Sequence, residues 1–372
     1  MKIALLGTRG VPAKYGGFET AVEEIGAGLA EMGHDVVVYC RGSHPGPAVY
    51  RGMRRVVLPS MHRKALETLT HTALSGAHAA RERPDVAVVF NAANAPFVAL
   101  LRAAGIPTAL HIDGHDGRRA KWRGVGARYY SLATRVGVRT ASRIIVDSRV
   151  VQRELAAAHG IEASYIAYGA RQTQGDRASV ARSLATVGLE PGGYHLVVAR
   201  FEPENHVLEV IKGYLASAAE LPLVAVGFAG FPGDYAREIS EVADGAENRG
   251  RVRLMGAIWD QQLLDGLYAG AASYLHGHSV GGTNPSLLRA MAQEAPIVAF
   301  DCPYNQETTG GSALWFDDAA DVGPLIESIE TAPDELIPMI ERAEKRVAED
   351  YVWGDVVDDY ERLLLGMCRR SR

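Results

Sequence analysis

The sequence predicts two doubly wound α/β domains facing each other across a cleft. Length, the rhythm of strands and helices, and a glycine-rich strand-to-helix turn in each half point to it. At 372 residues the chain is too long for one ordinary domain. Apolar runs of strand length alternate with helical patterns throughout, as in βαβ units with parallel sheets. A hydrophobic content of 47% is enough for two cores.

In the first half, strands are expected at Ile3–Leu6, Asp35–Cys40, Arg55–Leu58, Asp85–Phe90, Thr108–Ile112 and Arg143–Asp147. Amphipathic helices fall between them; in Thr20–Met32, Ala21, Ile25, Leu29 and Met32 share one face. The polar tract 169–191 has no clear strand and holds the linker. This places one domain at 1–172 and the other at 173–350, followed by a C-terminal helical segment at 351–372. The second half reads as strands at His195–Ala199, Leu223–Val226, Val252–Met255, Ala272–Leu275, Ile297–Phe300 and Ala313–Trp315. Two long helices, Pro333–Glu349 and Asp355–Met367, close the chain.

Composition narrows the function classes. A net charge of −5 gives no global attraction to nucleic acid, and no heptad, zinc-spacing or RNA-binding signature appears. Of the 39 basic residues only six are lysine. Cys40, Cys302 and Cys368 are an odd, scattered set, which fits a reducing compartment better than a disulfide framework. The apolar stretch after Met1 is too short for a signal peptide, and no run reaches the length of a membrane span. The expectation is a cytoplasmic protein, with attachment to the inner face of a membrane still open.

The most informative run is 276–301, HGHSVGGTNPSLLRAMAQEAPIVAFD. It reads as a buried strand end, a glycine turn and a helix. Gly281 and Gly282 permit close backbone approach, while Thr283, Asn284 and Ser286 offer N-cap oxygens. A helix start behind glycines presents free N–H groups and a positive dipole end, which suits a phosphate. The first strand-to-helix turn, Gly7 to Thr20, carries Gly16-Gly17 at the helix start but is not GxGxxG. It can wrap over a phosphate or sugar; a flexible loop with a helix cap is the other reading. In Ala199-Arg200-Phe-Glu-Pro-Glu-Asn205, Arg200 at a strand end can pair with a diphosphate, with Asn205 as an uncharged donor. The alternative is a surface ion-pair cluster capping the next helix. Three such loops converging on one cleft point to a phosphorylated ligand between the domains.

The stretches YGGFET (15–20), ARFEPEN (199–205) and GHSVGGTNPSLL (277–288) resemble the bacterial retaining glycosyltransferases of family 4, with the GT-B fold. The branch they are most similar to includes rhamnosyltransferases of cell-surface polysaccharide synthesis. The similarity continues through DGHDGRRAKW (113–122), IIVDS (144–148), YIAYGA (165–170) and YVWGDVVDDYE (351–361). The resemblance implies a nucleotide-diphosphate sugar on the C-terminal domain, an acceptor on the N-terminal one, and a last helix crossing back to brace the N-terminal domain. It puts Gly16 and Gly17 over the donor phosphates and sugar, Arg200 on the diphosphate, and Asn205 where many relatives have lysine. Gly282, Thr283 and Asn284 supply N–H groups, and Asp113 is the sugar-contacting or catalytic polar residue. No cofactor and no essential metal are implied. The acceptor would be a glycan, a lipid-linked sugar or a small molecule.

The chain departs from the family at its Glu-x7-Glu element. Gly281 and Arg289 stand at the two carboxylate positions, and an arginine cannot accept from a ribose hydroxyl. Arg289 and His278 thus read as altered nucleotide or ribose contacts. Three readings follow: altered donor choice, an outward-turned Arg289, or a binding paralogue with little catalysis. A nucleotide-sugar 2-epimerase, which needs acid–base carboxylates, fits less well. Asp116 and Gly117 replace a common glutamate and tryptophan, and Thr134 a usual acid.

Two further features admit plain explanations. Arg118, Arg119, Lys121, Arg123, Arg128, Arg135, Arg139 and Arg143 crowd one stretch with Trp122, Tyr129 and Tyr130. They suit an anionic lipid surface or a solvated face with core aromatics. His276 and His278 lack a third metal ligand, so hydrogen bonding to backbone or phosphate is the better reading. Asp317-Asp318 reads as a helix cap.

Overall fold

The computed structural model describes residues 1–13, 16–42, 46–61, 64–114, 124–171, 176–229, 233–245, 248 and 250–369. The chain divides into two compact units, Met1–Tyr168 with Trp353–Arg372, and Gly169–Val352. Unit 1 runs β1 (Lys2–Leu6), α1 (Gly17–Glu31), β2 (Asp35–Arg41), β3 (Val49–Tyr50), β4 (Met53–Leu58), α2 (Lys64–Glu82), β5 (Val86–Phe90), α3 (Ala95–Ala103), β6 (Thr108–Ile112), α4 (Val125–Thr140), β7 (Arg143–Val146), α5 (Arg149–His159) and β8 (Ser164–Tyr165). Unit 2 runs α6 (Arg177–Ala185), β9 (His195–Val198), α7 (Val207–Leu215), β10 (Leu223–Val226), α8 (Asp234–Ala243), β11 (Val252–Gly256), α9 (Gln261–Ala269), β12 (Ser273–His276), α10 (Pro285–Ala292), β13 (Ile297–Phe300), α11 (Pro303–Thr309), β14 (Leu314–Phe316), α12 (Ala319–Thr331) and α13 (Ile337–Asp350). The last helix, α14 (Trp353–Arg369), belongs to unit 1.

The order in unit 1 is β3-β4-β2-β1-β5-β6-β7-β8, parallel except for the short β3–β4 hairpin. In unit 2 it is β11-β10-β9-β12-β13-β14, parallel throughout. Strands such as β5 (VAVVF) and β10 (LVAV) are buried along their whole length, because helices cover both faces of a parallel sheet. Every strand read from the sequence is present, shifted by a residue or two at its ends. Each sheet has a switch point where strand order reverses, between β1 and β5 and between β9 and β12. Ligands of doubly wound folds bind beyond the carboxyl ends of strands at such points.

Side chains fix the helix ends. Ser148 accepts from Val150 N and Val151 N at the start of α5. Asp318 and Asp321 form a capping box on α12, so the Asp317-Asp318 pair ends in a cap as its sequence indicates. On α14, Val356, Val357, Tyr360, Leu364 and Met367 form one buried stripe. Val357 lies against Gly28 of α1, where a Cβ would collide with it. In unit 2 the core gathers Val210, Ile211, Leu275, Val298, Phe316 and Ile326 from both layers. No helix among the described residues is long and apolar enough to cross a membrane.

Candidate functional site

In unit 2 the loops after β9 and β12 leave adjacent strands at the switch point and are tied together. The Ser279 N–H and hydroxyl both donate to the Glu204 carbonyl, at 3.0 and 3.1 Å. His206 takes a left-handed φ of 47°, and its Nδ1 meets the Gly277 carbonyl at 2.7 Å. Its ring stacks on Phe300 at 4.3 Å and 6°. Gly277 is dictated by this approach, since a Cβ would overlap the Asn205 carbonyl oxygen. Asn205 is 2% exposed and its Nδ2 donates to the Arg200 carbonyl at 2.8 Å. It therefore shapes the turn that carries Arg200, whose own side chain is half-buried.

The turn after β12 reaches α10 through Gly281, at φ 139°, and half-buried Gly282. Thr283 is 5% exposed. Asn284 is the N-cap, its Oδ1 accepting from Ser286 N at 3.0 Å and from Ser286 Oγ at 2.8 Å. The buried Tyr274 hydroxyl donates to Ser286 Oγ at 3.0 Å. With Oδ1 committed on the helix side, the Asn284 amide nitrogen is left as a donor. Behind the turn, His276 and His278 stack at 4.5 Å. Burial pushes His276 down to about 3, so it stays neutral. The His278 carbonyl accepts from Asn305 Nδ2 at 2.9 Å. Glycine backbone, an N-cap amide and a helix dipole thus lie beside Arg200's turn, an arrangement that favours an anion.

Arg289 faces α9. Its Nε donates to Asp265 Oδ1 at 2.6 Å, and its terminal nitrogens reach the Gln261 side-chain oxygen and carbonyl at 3.0 and 2.9 Å.

In unit 1, Gly7 follows β1 with φ 100°, and a Cβ there would overlap the Phe90 carbonyl oxygen. Asn94, fully buried, donates to both Gly7 O and Phe90 O, at 3.1 and 2.9 Å, closing the switch point. Gly16 is the N-cap of α1 with no side-chain cap, at φ 107°. The loop before it is held by buried acids of α1. Glu19 Oε1 accepts from Arg9 N at 3.0 Å, and Glu23 Oε2 from Ala13 N at 2.5 Å. Where described, the loop is pinned by carboxylates. Asp113 follows β6 and is half-buried.

Residues 16–169 match the glycosyl transferase 4-like domain. A sequence search of curated proteins finds no match. Among solved structures, sucrose-phosphate synthase from Thermosynechococcus elongatus superposes with a TM-score of 0.82 at 19% identity, over 98% of each chain. Anabaena HepE in complex with UDP-glucose gives 0.80 at 16%, covering 98% of this chain and 100% of that one. Trehalose 6-phosphate synthase from Burkholderia multivorans gives 0.72 at 12%, covering 100% and 99%. The fold is GT-B.

On the GT-B frame, Arg200, Asn205, His278, Gly282, Thr283 and Asn284 gather at the unit 2 switch point, whereas in unit 1 Gly16 and Gly17 begin α1 and Asp113 follows β6. Tyr15, Asp116, Gly117, Arg118, Arg119, Lys121, Trp122 and Arg123 fall outside the described residues. On α4 the aromatics turn inward, Tyr130 buried and the Tyr129 hydroxyl on Ala93 O at 2.8 Å, while Arg128, Arg135 and Arg139 are exposed. Thr134 bonds its own helix at Tyr130 O. Sequence reading missed Glu19 and Glu23 as loop anchors, and His206 and Tyr274 as the frame of the turn before α10; Ser286, read as an offered N-cap oxygen, bonds to the N-cap Asn284 instead. Acids four residues apart on an otherwise apolar buried face were the available signal for the first pair.

Proposed function

We propose that the protein is a retaining, metal-independent glycosyltransferase of the cytoplasm. It moves a sugar, a deoxyhexose such as rhamnose, from a nucleotide diphosphate to a glycan, lipid-linked or small-molecule acceptor in polysaccharide synthesis. The observation that carries this is the fastening of the Arg200 turn to the α10 turn through Ser279 and the Glu204 carbonyl. It brings a guanidinium, glycine N–H groups and the Asn284 amide to one switch point, where they would stabilise charge building on a leaving diphosphate without a cation. The acceptor hydroxyl attacks the face the phosphate leaves, and the departing oxygen takes its proton. Asp113 then contacts the sugar. The glycosyl transferase 4-like match and the UDP-glucose complex of HepE support a nucleotide-sugar donor.

Arg289 favours one second reading, a paralogue that binds nucleotide sugar without turnover. Its guanidinium is engaged by Asp265 and Gln261, and α10 offers no carboxylate for a ribose. Calorimetry with UDP, TDP, GDP and ADP, with and without magnesium, tests the donor site. Metal-independent binding of one nucleotide supports transfer, and binding of none rejects it. Turnover of the matching nucleotide sugar then separates enzyme from paralogue.

A further inference from the structure

Unit 1 carries a groove at the edge of its sheet that none of the donor-site residues lines. It measures about 360 Å³ and lies between Arg143 at the start of β7, the edge strand β8 with Ile166, and α14. Strands β5, β6 and β7 separate β8 from the switch point of this sheet. The α14 wall is Asp359, Arg362, Leu363 and Gly366, a stripe at spacings of three and four beside the buried one.

Arg143 is half-buried, and its Nη1 donates to the Ser142 carbonyl at 2.9 Å, which holds the guanidinium in place. Among the described residues it has no carboxylate partner. Arg362 is exposed and is tethered by Asp359 one turn earlier. The half-buried ring of Tyr165 has the Arg149 guanidinium 4.2 Å from its centroid. Buried Ile166 and half-buried Leu363 add apolar contact. A Cβ on Gly366 would meet nothing within 4 Å, so α14 leaves room for a ligand there.

Three guanidinium groups against one carboxylate make the groove cationic, in a chain whose net charge is −5. A phosphate monoester carries up to about two negative charges at pH 7 and pairs with the planar guanidinium fork. The ring and the aliphatic side chains suit an apolar or planar substituent on that phosphate. The volume falls within the range of about 300–1,000 Å³ common for small-molecule sites.

We propose that this groove binds an organic phosphate monoester, with its phosphate on Arg143 and Arg362 and its apolar part against Tyr165, Ile166 and Leu363. The proposal does not rest on the transferase reading. A ligand there bridges β7, β8 and α14, the helix whose Tyr360 hydroxyl lies 2.6 Å from Nδ1 of His111 on β6. Occupancy therefore fastens α14 to the sheet edge and raises the melting temperature.

Titration calorimetry of the full chain with phenyl phosphate, inorganic phosphate and phenol tests this. Phenyl phosphate should bind at one such site, about ten-fold or more tighter than inorganic phosphate, and phenol should not bind. Arg200→Ala should keep that affinity. Arg143→Gln should weaken it about ten-fold, through the lost charge-assisted contact. Gly366→Leu, which fills the groove from an exposed helix position, should abolish it; either variant decides if the other does not fold. Binding lost in Arg200→Ala but kept in Arg143→Gln would assign the phosphate to the donor site and overturn the proposal. Failure of phenyl phosphate to bind, or equal affinity for inorganic phosphate, would overturn it as well.

Discussion

Arg289 Nε lies 2.6 Å from Asp265 Oδ1, and both side chains are about four-fifths buried, at 21% and 22% exposure. The charge reversal seen in the sequence is therefore matched on the neighbouring helix α9. Arg289→Glu sets a carboxylate against Asp265 and should destabilise unit 2 by about 2 kcal/mol. Adding Asp265→Asn should recover about half. Urea unfolding of the two single variants and the double measures the coupling; additive effects would mean the pair contributes no stability.

Arg200 is the residue on which donor affinity should depend most. Removing a partly desolvated charge-assisted contact costs on the order of 2–4 kcal/mol, so Arg200→Ala should weaken nucleotide diphosphate binding by about 30-fold or more. Calorimetry reads this directly. Unchanged affinity would move the diphosphate away from the β9 turn.

Buried histidines make stability depend on pH. His71 is pushed by burial to about 4, and His111 and His276 to about 3, from an ordinary 6.5. Below pH 6.5 the unfolded chain takes up protons that the folded chain refuses. The full stability is present above about 6.5 and is lost as pH falls towards 3, by up to about 1.4 kcal/mol per unit for each histidine. Unfolding at pH 7.5 and pH 5 should show a clear loss, and His276→Gln should reduce its slope.

The alternation of buried strands with amphipathic helices made the two sheets legible, because parallel strands need apolar side chains on both faces. Two-residue strands such as Ser164–Tyr165 carry too little pattern to stand out. The glycine turn into α10 was legible for a similar reason: glycines and N-cap residues act locally. What stayed hidden depends on distant partners. Asp265 lies 24 positions from Arg289, and Tyr360 lies 249 positions from His111, so no local spacing announces either pair.

Two glycines with opposite surroundings give the last prediction. At Gly277 an added Cβ would overlap the Asn205 carbonyl oxygen, a backbone atom that cannot swing aside. Gly277→Ala must push the β9 and β12 turns apart, straining the His206–Gly277 and Ser279–Glu204 bonds together. A loss of about 2 kcal/mol is expected, along with weaker nucleotide binding. Gly366 lies inside α14 with nothing within 4 Å of an added Cβ. There the alanine only reduces backbone freedom in the unfolded chain, and Gly366→Ala should stabilise by about 0.5–1 kcal/mol. Melting of both variants, with nucleotide titration of each, decides it. If Gly277→Ala binds nucleotide as tightly as wild type, the fastening of the two turns does not set the donor site.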